Sequence, residues 1–213
     1  MHVLIVHAHI EPTSFTAALK DAAVVTIERG GHTVEVSDLY TSEFDPVAGR
    51  HDFSSVADSK RFHYQTEQAK AAAEQAFAVD LVREQDRVRR ADLIIFAFPL
   101  WWGGPPAILK GWIDRVLSYG FAYVDGARFD TGFFKGKRGL LCVTTGGTLE
   151  RFSEGGVYGP IEHVLRPLQR LTLEYMGLQV SAPFVAYGAP RVTDEARTAY
   201  LQQWRVKLQS VLG

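Results

Sequence analysis

Three short segments carry residue types that could do chemistry. The first is His7-Ala8-His9-Ile10-Glu11-Pro12-Thr13-Ser14-Phe15-Thr16, which follows the apolar run Val3–Val6 and opens a helical pattern. Hydroxyls at Thr13, Ser14 and Thr16 would meet the positive end of that helix. Hydroxyls and backbone N–H groups there suit a phosphate or pyrophosphate. An ordinary N-cap uses the same residues. The second segment is Pro99-Leu100-Trp101-Trp102-Gly103-Gly104, at the end of another apolar run. Its indoles can form a flat wall and its glycines allow close backbone approach, although buried packing is the plainer reading. The third, Thr144-Thr145-Gly146-Gly147, can aim N–H groups at the polar edge of a planar ligand, or simply turn. Together they describe a pocket for a phosphorylated, planar aromatic cofactor. A flavin fits, with N–H groups near its pyrimidine edge stabilising charge on the reduced ring.

Such segments need elements to hold them. Strand signals fall at Val3–Val6, Thr33–Leu39, Leu93–Phe98, Leu140–Val143 and Leu178–Val185. After Ser14, helical spacing runs through Phe15, Ala18, Leu19, Ala22 and Ile27 until Gly30-Gly31. Lys70 to Arg90 predicts one long charged helix, and Pro105-Pro106 opens another carrying Ile108, Leu109, Trp112, Ile113 and Val116. Pro160 to Met176 is helical up to Gly177, and Tyr200, Trp204, Leu208 and Val211 form the stripe of a last helix. The whole reads as one domain over 1–213, with an irregular, polar insertion at about 40–65. Alternating strands and helices predict an α/β fold: a five-stranded parallel sheet with helices on both faces. The first, third and fourth strands are unbroken apolar runs, as strands buried on both faces are. The second and fifth alternate, as edges do. The doubly wound order 2-1-3-4-5 satisfies that pattern. Its ligands bind outside the carboxyl ends of the strands, where the order reverses, which places the three segments side by side.

Composition removes other classes. The chain has 213 residues, 46% of them hydrophobic, so disorder is excluded. Net charge is −1, with 23 basic and 24 acidic residues well mixed, which argues against a nucleic-acid partner. Cys142 is the only cysteine and falls inside an apolar strand, so a buried inert thiol is expected. No signal-peptide pattern, membrane-length apolar run or asparagine is present, and a cytoplasmic setting is expected. His7 and His9 resemble a metal pair, but the loops after the third and fourth strands offer no further ligand, so no metal is expected. Gly132 to Lys137 lacks the spacing and hydroxyl of a P-loop, and no G-x-S-x-G is present.

His9 with Thr13-Ser14-Phe15, Phe98-Pro99-Leu100-Trp101-Trp102, the run from Pro106 to Val116 and Thr144-Thr145-Gly146-Gly147 resemble the NAD(P)H:quinone oxidoreductases. These are flavodoxin-like two-electron quinone reductases, and the match covers nearly the whole chain. The resemblance implies a homodimer with one FAD per chain, FMN being the alternative. It implies ping-pong hydride transfer from NAD(P)H through the flavin to a quinone. By position it implies that His9, Phe15 and Thr16 contact the flavin nucleotide. Pro99, Leu100, Trp101, Trp102 and Gly103 would line the ring, and Thr144, Thr145, Gly146 and Gly147 would bind its polar edge. Arg197 aligns near the diphosphate, and His63 with a position that reaches the partner subunit's FAD. Tyr123 aligns at the substrate mouth. Mammalian members place a tyrosine and a histidine where this chain has Phe152 and Tyr158. A histidine relay is therefore not expected; Tyr158 can donate a hydrogen bond, and water or Tyr158 would supply protons. Gly103 replaces a stacking aromatic, which opens the pocket to azo or nitro acceptors, and Asp125 replaces a second mouth tyrosine. No counterpart of the long C-terminal domain of the mammalian members is expected. Two alternatives of other classes stand: a flavodoxin-type electron carrier, and a regulatory subunit on a potassium-efflux system in the membrane.

Overall fold

In the computed structural model, which describes residues 1–213, every strand pairs in parallel. The order is β2 (Thr33–Asp38), β1 (His2–His7), β3 (Leu93–Pro99), β4 (Arg138–Thr144), then two short pieces beside β4: β5 (Gln179–Val180) and β6 (Phe184–Ala186). Interior residues of β1, β3 and β4 are buried, while β2 is only half-buried, as the apolar-run argument requires. The order is therefore the expected one.

The fifth strand differs from its expected form. Leu178–Val185 is not one strand but two pieces. Ser181 still donates its N–H to the Gly139 carbonyl at 2.9 Å. Pro183 has no N–H to continue the ladder, so pairing lapses and resumes at Phe184.

Helices cover both faces. On one side α1 (Phe15–Arg29) packs on α6 (Asp194–Leu212), and Leu19, Ile27, Trp204 and Leu208 meet Val3, Ile5, Ile95 and Cys142. Ser14 caps α1, its Oγ accepting from the Ala17 N–H at 3.1 Å, and Gly31 leaves it at φ +77°. The other face carries α2 (Tyr64–Glu74), α3 (Val79–Arg90), α4 (Ala107–Val116) and α5 (Ile161–Leu168). Buried Glu84 on α3 accepts from Ser37 (2.6 Å), Trp112 (2.9 Å) and Arg87 (2.6 Å), joining β2, α3 and α4. Within the last turn of α5, Pro167 removes one backbone donor. The helix widens into a π turn at Gln169–Leu173 and ends at Gly177, φ +99°.

The expected single helix over Lys70–Arg90 is two helices, with α2 beginning earlier, at Tyr64. Gln75 turns left-handed (φ +56°), and Ala76 and Phe77 enter the core. Phe77 bridges antiparallel to Phe53 in the insertion. The Ser54 N–H donates to the Ala76 carbonyl and the Ala78 N–H to the Asp52 carbonyl, each at 2.8 Å. Burial of two phenylalanines outweighs continuous helix. The insertion is thus irregular yet anchored. Buried Asp52 accepts from Arg115 on α4 at 2.9 Å and from Tyr64 at 2.5 Å, while Pro46 lies so close to Gly111 that a Cβ there would sit 2.2 Å from its carbonyl. No helix is long and apolar enough to cross a membrane.

Candidate functional site

The carboxyl ends of β1, β3, β4 and β6 open into a cleft with two adjoining lobes. They meet at Leu100, Thr145 and Gly146. The larger lobe has a volume of about 830 Å³ and lies against the start of α1. Its walls include His9, Thr13, Ser14, Phe15, Thr16, Pro99, Trp101, Thr144 and Arg197. The smaller lobe, about 560 Å³, is bounded by Trp102, Gly103, Gly147, Phe152 and Tyr158. Every candidate residue except His63 and Tyr123 lines one lobe or the other.

Those two are elsewhere. His63 caps α2, its Nδ1 accepting from the Thr66 N–H at 3.3 Å. Tyr123 packs edge-on against Tyr119 and Tyr175, with ring centroids 5.5 and 6.1 Å away. Burial, then the neighbouring Tyr175 and Asp125, push its phenol pKa up.

At the α1 end of the larger lobe, two of the three hydroxyls are already engaged. Thr13 donates to Glu11 at 2.6 Å, and buried Thr16 shares a hydrogen bond with Thr144 at 2.8 Å. The expectation that all three would face a phosphate is corrected accordingly. What remains is the Ser14 hydroxyl hydrogen and the N–H groups of Phe15 and Thr16, which have no backbone partner in the first turn. Arg197 stands opposite on α6, donating to Asp194 at 2.8 Å. His9 accepts the Glu11 N–H on Nδ1 at 3.0 Å. Burial lowers its pKa, with Glu11 opposing, so the ring is neutral and Nε2 carries the donor hydrogen.

The loops are tied to one another. Leu100 N–H donates to the Thr144 carbonyl (2.8 Å), Thr145 N–H to Ala186 (3.0 Å) and Gly188 N–H to Gly147 (2.8 Å). Trp101 and Gly104 exchange two backbone hydrogen bonds of 2.9 and 3.0 Å around Trp102 (φ +51°) and Gly103 (φ +74°). Two successive positive φ values are those of a type I′ turn, natural for glycine and strained for tryptophan. The turn leaves the Trp102 indole fully exposed at the smaller lobe. Phe152 stacks at 5.0 Å on Tyr158, which is half exposed. A Cβ at Gly147 would sit 2.8 Å from Phe152, whereas at Gly146 only Arg191 Nη1 comes within 4 Å, at 3.7 Å.

Sequence reasoning missed Arg151, Arg191 and Asp194. The last two follow β6, whose loop reaches the same carboxyl edge. The switch-point rule nominated only the loops of the first, third and fourth strands. Extending it to the fifth would have found Arg191. Arg151 lies in a turn beyond the diglycine and had no such signal. His7 is buried and bonds Asp38 through Nδ1 at 3.0 Å.

A doubly wound parallel sheet with this cleft at its switch point defines a flavodoxin-like protein, and the family described as having a flavodoxin-like fold matches residues 1–208. The chain is 43% identical over 209 residues to NAD(P)H dehydrogenase (quinone) 1 of Cavia porcellus, covering 98% of this chain and 76% of that one. It is 44% identical over 210 residues to ribosyldihydronicotinamide dehydrogenase (quinone) of Mus musculus, covering 98% and 91%. Among solved structures, a protein provisionally assigned as a quinone reductase from Klebsiella pneumoniae superposes with a TM-score of 0.95. It shares 35% identity, over 99% of this chain and 85% of that one. The chain belongs to the flavodoxin-like NAD(P)H:quinone oxidoreductase family.

Proposed function

We propose that this chain, acting as one cytoplasmic domain over 1–213, is a flavin-dependent NAD(P)H:quinone oxidoreductase. The observation that carries the reading is the two-lobed cleft. One lobe offers a capped helix N-terminus and Arg197 for phosphate, the junction of the two offers Gly146 to a ring edge, and the other lobe, walled by Trp102 and Phe152, leaves space for a planar substrate. The residues present fit a flavin. Gly146 stands where the lobes join, and a Cβ there would meet only Arg191 Nη1, at 3.7 Å, so the backbone can approach a ring edge closely. When bound, a flavin supplies two-electron hydride chemistry. The protein's part is positional and electrostatic. Ser14, the first-turn N–H groups and Arg197 hold the phosphate of a flavin nucleotide, FAD in this reading with FMN the alternative. Neutral His9 donates from Nε2, and the N–H groups of Gly146 and Gly147 stabilise negative charge at the ring edge. Tyr158, at the smaller lobe, is the side chain able to donate a proton to an acceptor there.

NAD(P)H and quinone would occupy that smaller lobe in turn, a ping-pong cycle, and the glycine at Gly103 leaves room for azo or nitro acceptors. His63 and Tyr123 lie outside both lobes, so the roles implied for them by resemblance require a second copy of the chain. We therefore include a homodimer in the reading. The test is direct. Purified protein should be yellow, release FAD on denaturation, run as a dimer in light scattering and reduce a quinone panel with parallel-line kinetics for NADH or NADPH. A colourless protein that takes up neither FAD nor FMN would sink it.

A further inference from the structure

We infer that Arg151 and Arg191 form an anion-recognising rim on the smaller lobe, so that a molecule seated there carries a negatively charged group on a flat apolar body. This rests on the reading of that lobe as the substrate site. Arg151 and Arg191 are its only charged lining residues. Neither takes part in an ion pair; Asp194, at the start of α6, is engaged by Arg197 instead. Glu150 and Glu154 flank Arg151 in sequence, but neither lines the lobe.

Both guanidiniums are presented by ordered turns. The Tyr158 N–H donates to the Arg151 carbonyl at 2.9 Å, and the turn is so tight that a Cβ on Gly156 would sit 2.4 Å from that same carbonyl oxygen. Arg191 donates its N–H to Gly188 at 2.8 Å, and its Nη1 donates to the Gly146 carbonyl at 2.6 Å. That bond uses one of five donors and leaves a planar fork free for a carboxylate, sulfonate or phosphate. In the same lobe, Trp102, Phe152 and Val164 provide apolar surface. The lobe therefore combines apolar surface with two cationic side chains. The charged group has two sources: an acidic substituent on the acceptor, or the phosphates of the nicotinamide donor.

The experiment uses the flavin-loaded protein and the variants Arg151→Gln, Arg191→Gln and their combination. Calorimetry compares naphthoquinone sulfonate with unsubstituted naphthoquinone in the absence of donor. Steady-state rates compare NADH and NADPH with phosphate-free ribosyldihydronicotinamide. Each arginine should contribute roughly tenfold to discrimination, the size of one charge-assisted hydrogen bond at a partly exposed site. Collapse of the sulfonate preference in the double variant assigns the rim to the acceptor. Collapse of the preference for phosphate-bearing donors assigns it to the donor. Ratios within about twofold of wild type in both arms overturn the inference. Absorbance of the same preparations reports flavin. Protein without flavin would defeat the functional reading, while the calorimetric ratio would still decide the rim.

Discussion

Gly146 tests the placement of the cofactor most sharply, because its substitution separates folding from binding. Gly146 is exposed, its φ is not positive, and an added Cβ would meet only Arg191 Nη1 at 3.7 Å. Gly146→Val should therefore cost the fold no more than about 0.5 kcal/mol, a shift of under about 2 °C in Tm for a chain of this size. The same three carbons project where the two lobes join. A ring lying there would have to move or the loop give way, at a cost like that of overpacking, about 2–3 kcal/mol. Flavin affinity should then fall roughly 30- to 150-fold. The assay is a fluorescence titration of apo-protein with FAD, beside a thermal melt without ligand. Gly147 is unsuitable, since a Cβ there meets Phe152 at 2.8 Å and would disturb the wall itself. Retained affinity within about threefold, with an unchanged melt, would show that the ring does not sit against this loop.

Arg197→Gln should weaken FAD about tenfold while leaving phosphate-free riboflavin unaffected, because the lost group is a phosphate partner; comparative titration decides it. Trp102→Gly should hold or raise stability by about 1 kcal/mol in urea unfolding, since φ +51° suits glycine, yet lower kcat/KM for quinones by removing a wall of the smaller lobe. Asp52→Ala leaves Arg115 buried without its carboxylate and should cost about 3–5 kcal/mol in chemical denaturation. Burial lowers the pKa of His7, only partly offset by Asp38, and its Nε2 is buried without a partner. The unfolded chain therefore binds a proton below about pH 6.5 that the folded chain resists, and stability should fall as pH drops through that range. His7→Gln should flatten that fall, as read by urea unfolding at successive pH values.

The sheet was legible because burial leaves a mark on sequence. Strands β1, β3 and β4 are apolar at nearly every position, and β2 is not; that contrast puts β2 at an edge, and the doubly wound topology supplies the rest of the order. Ser14 and Gly31 bound α1 where local chemistry said they would. Features set by distant partners were not legible. Nothing local in Lys70–Arg90 announces that Phe77 will leave the helix for Phe53, because the gain lies in a contact between segments 24 residues apart. The pairing of Arg115 with Asp52, 63 residues apart, is equally silent in sequence, and so is the choice of Thr16 for Thr144. Pro183 was visible and should have split the last strand. For the cleft, the switch-point rule found three loops because topology alone determines them. It was silent on Arg151, whose place depends on how a turn closes.

The two lobes differ in how firmly they are built, and that difference bears on function. In the larger lobe nearly every wall is cross-tied. Thr144 is the hub: its hydroxyl bonds Thr16 on α1 and its carbonyl accepts from Leu100 after β3. Thr145 extends the tie to Ala186 and Ala189 around β6. Four loops from four strands are thus tied into one shape, so little ordering entropy opposes binding there. In the smaller lobe the walls are solvent-facing side chains instead: Trp102 on a strained turn, a half-exposed Tyr158 and two arginines without ion pairs. Their backbones are fixed but their side chains can adapt. On the proposed reading, a firmly tied lobe beside an adaptable open one suits a reaction cycle in which one molecule stays bound and two others exchange in turn. A simple electron carrier, with no second substrate to admit, would gain nothing from the open lobe.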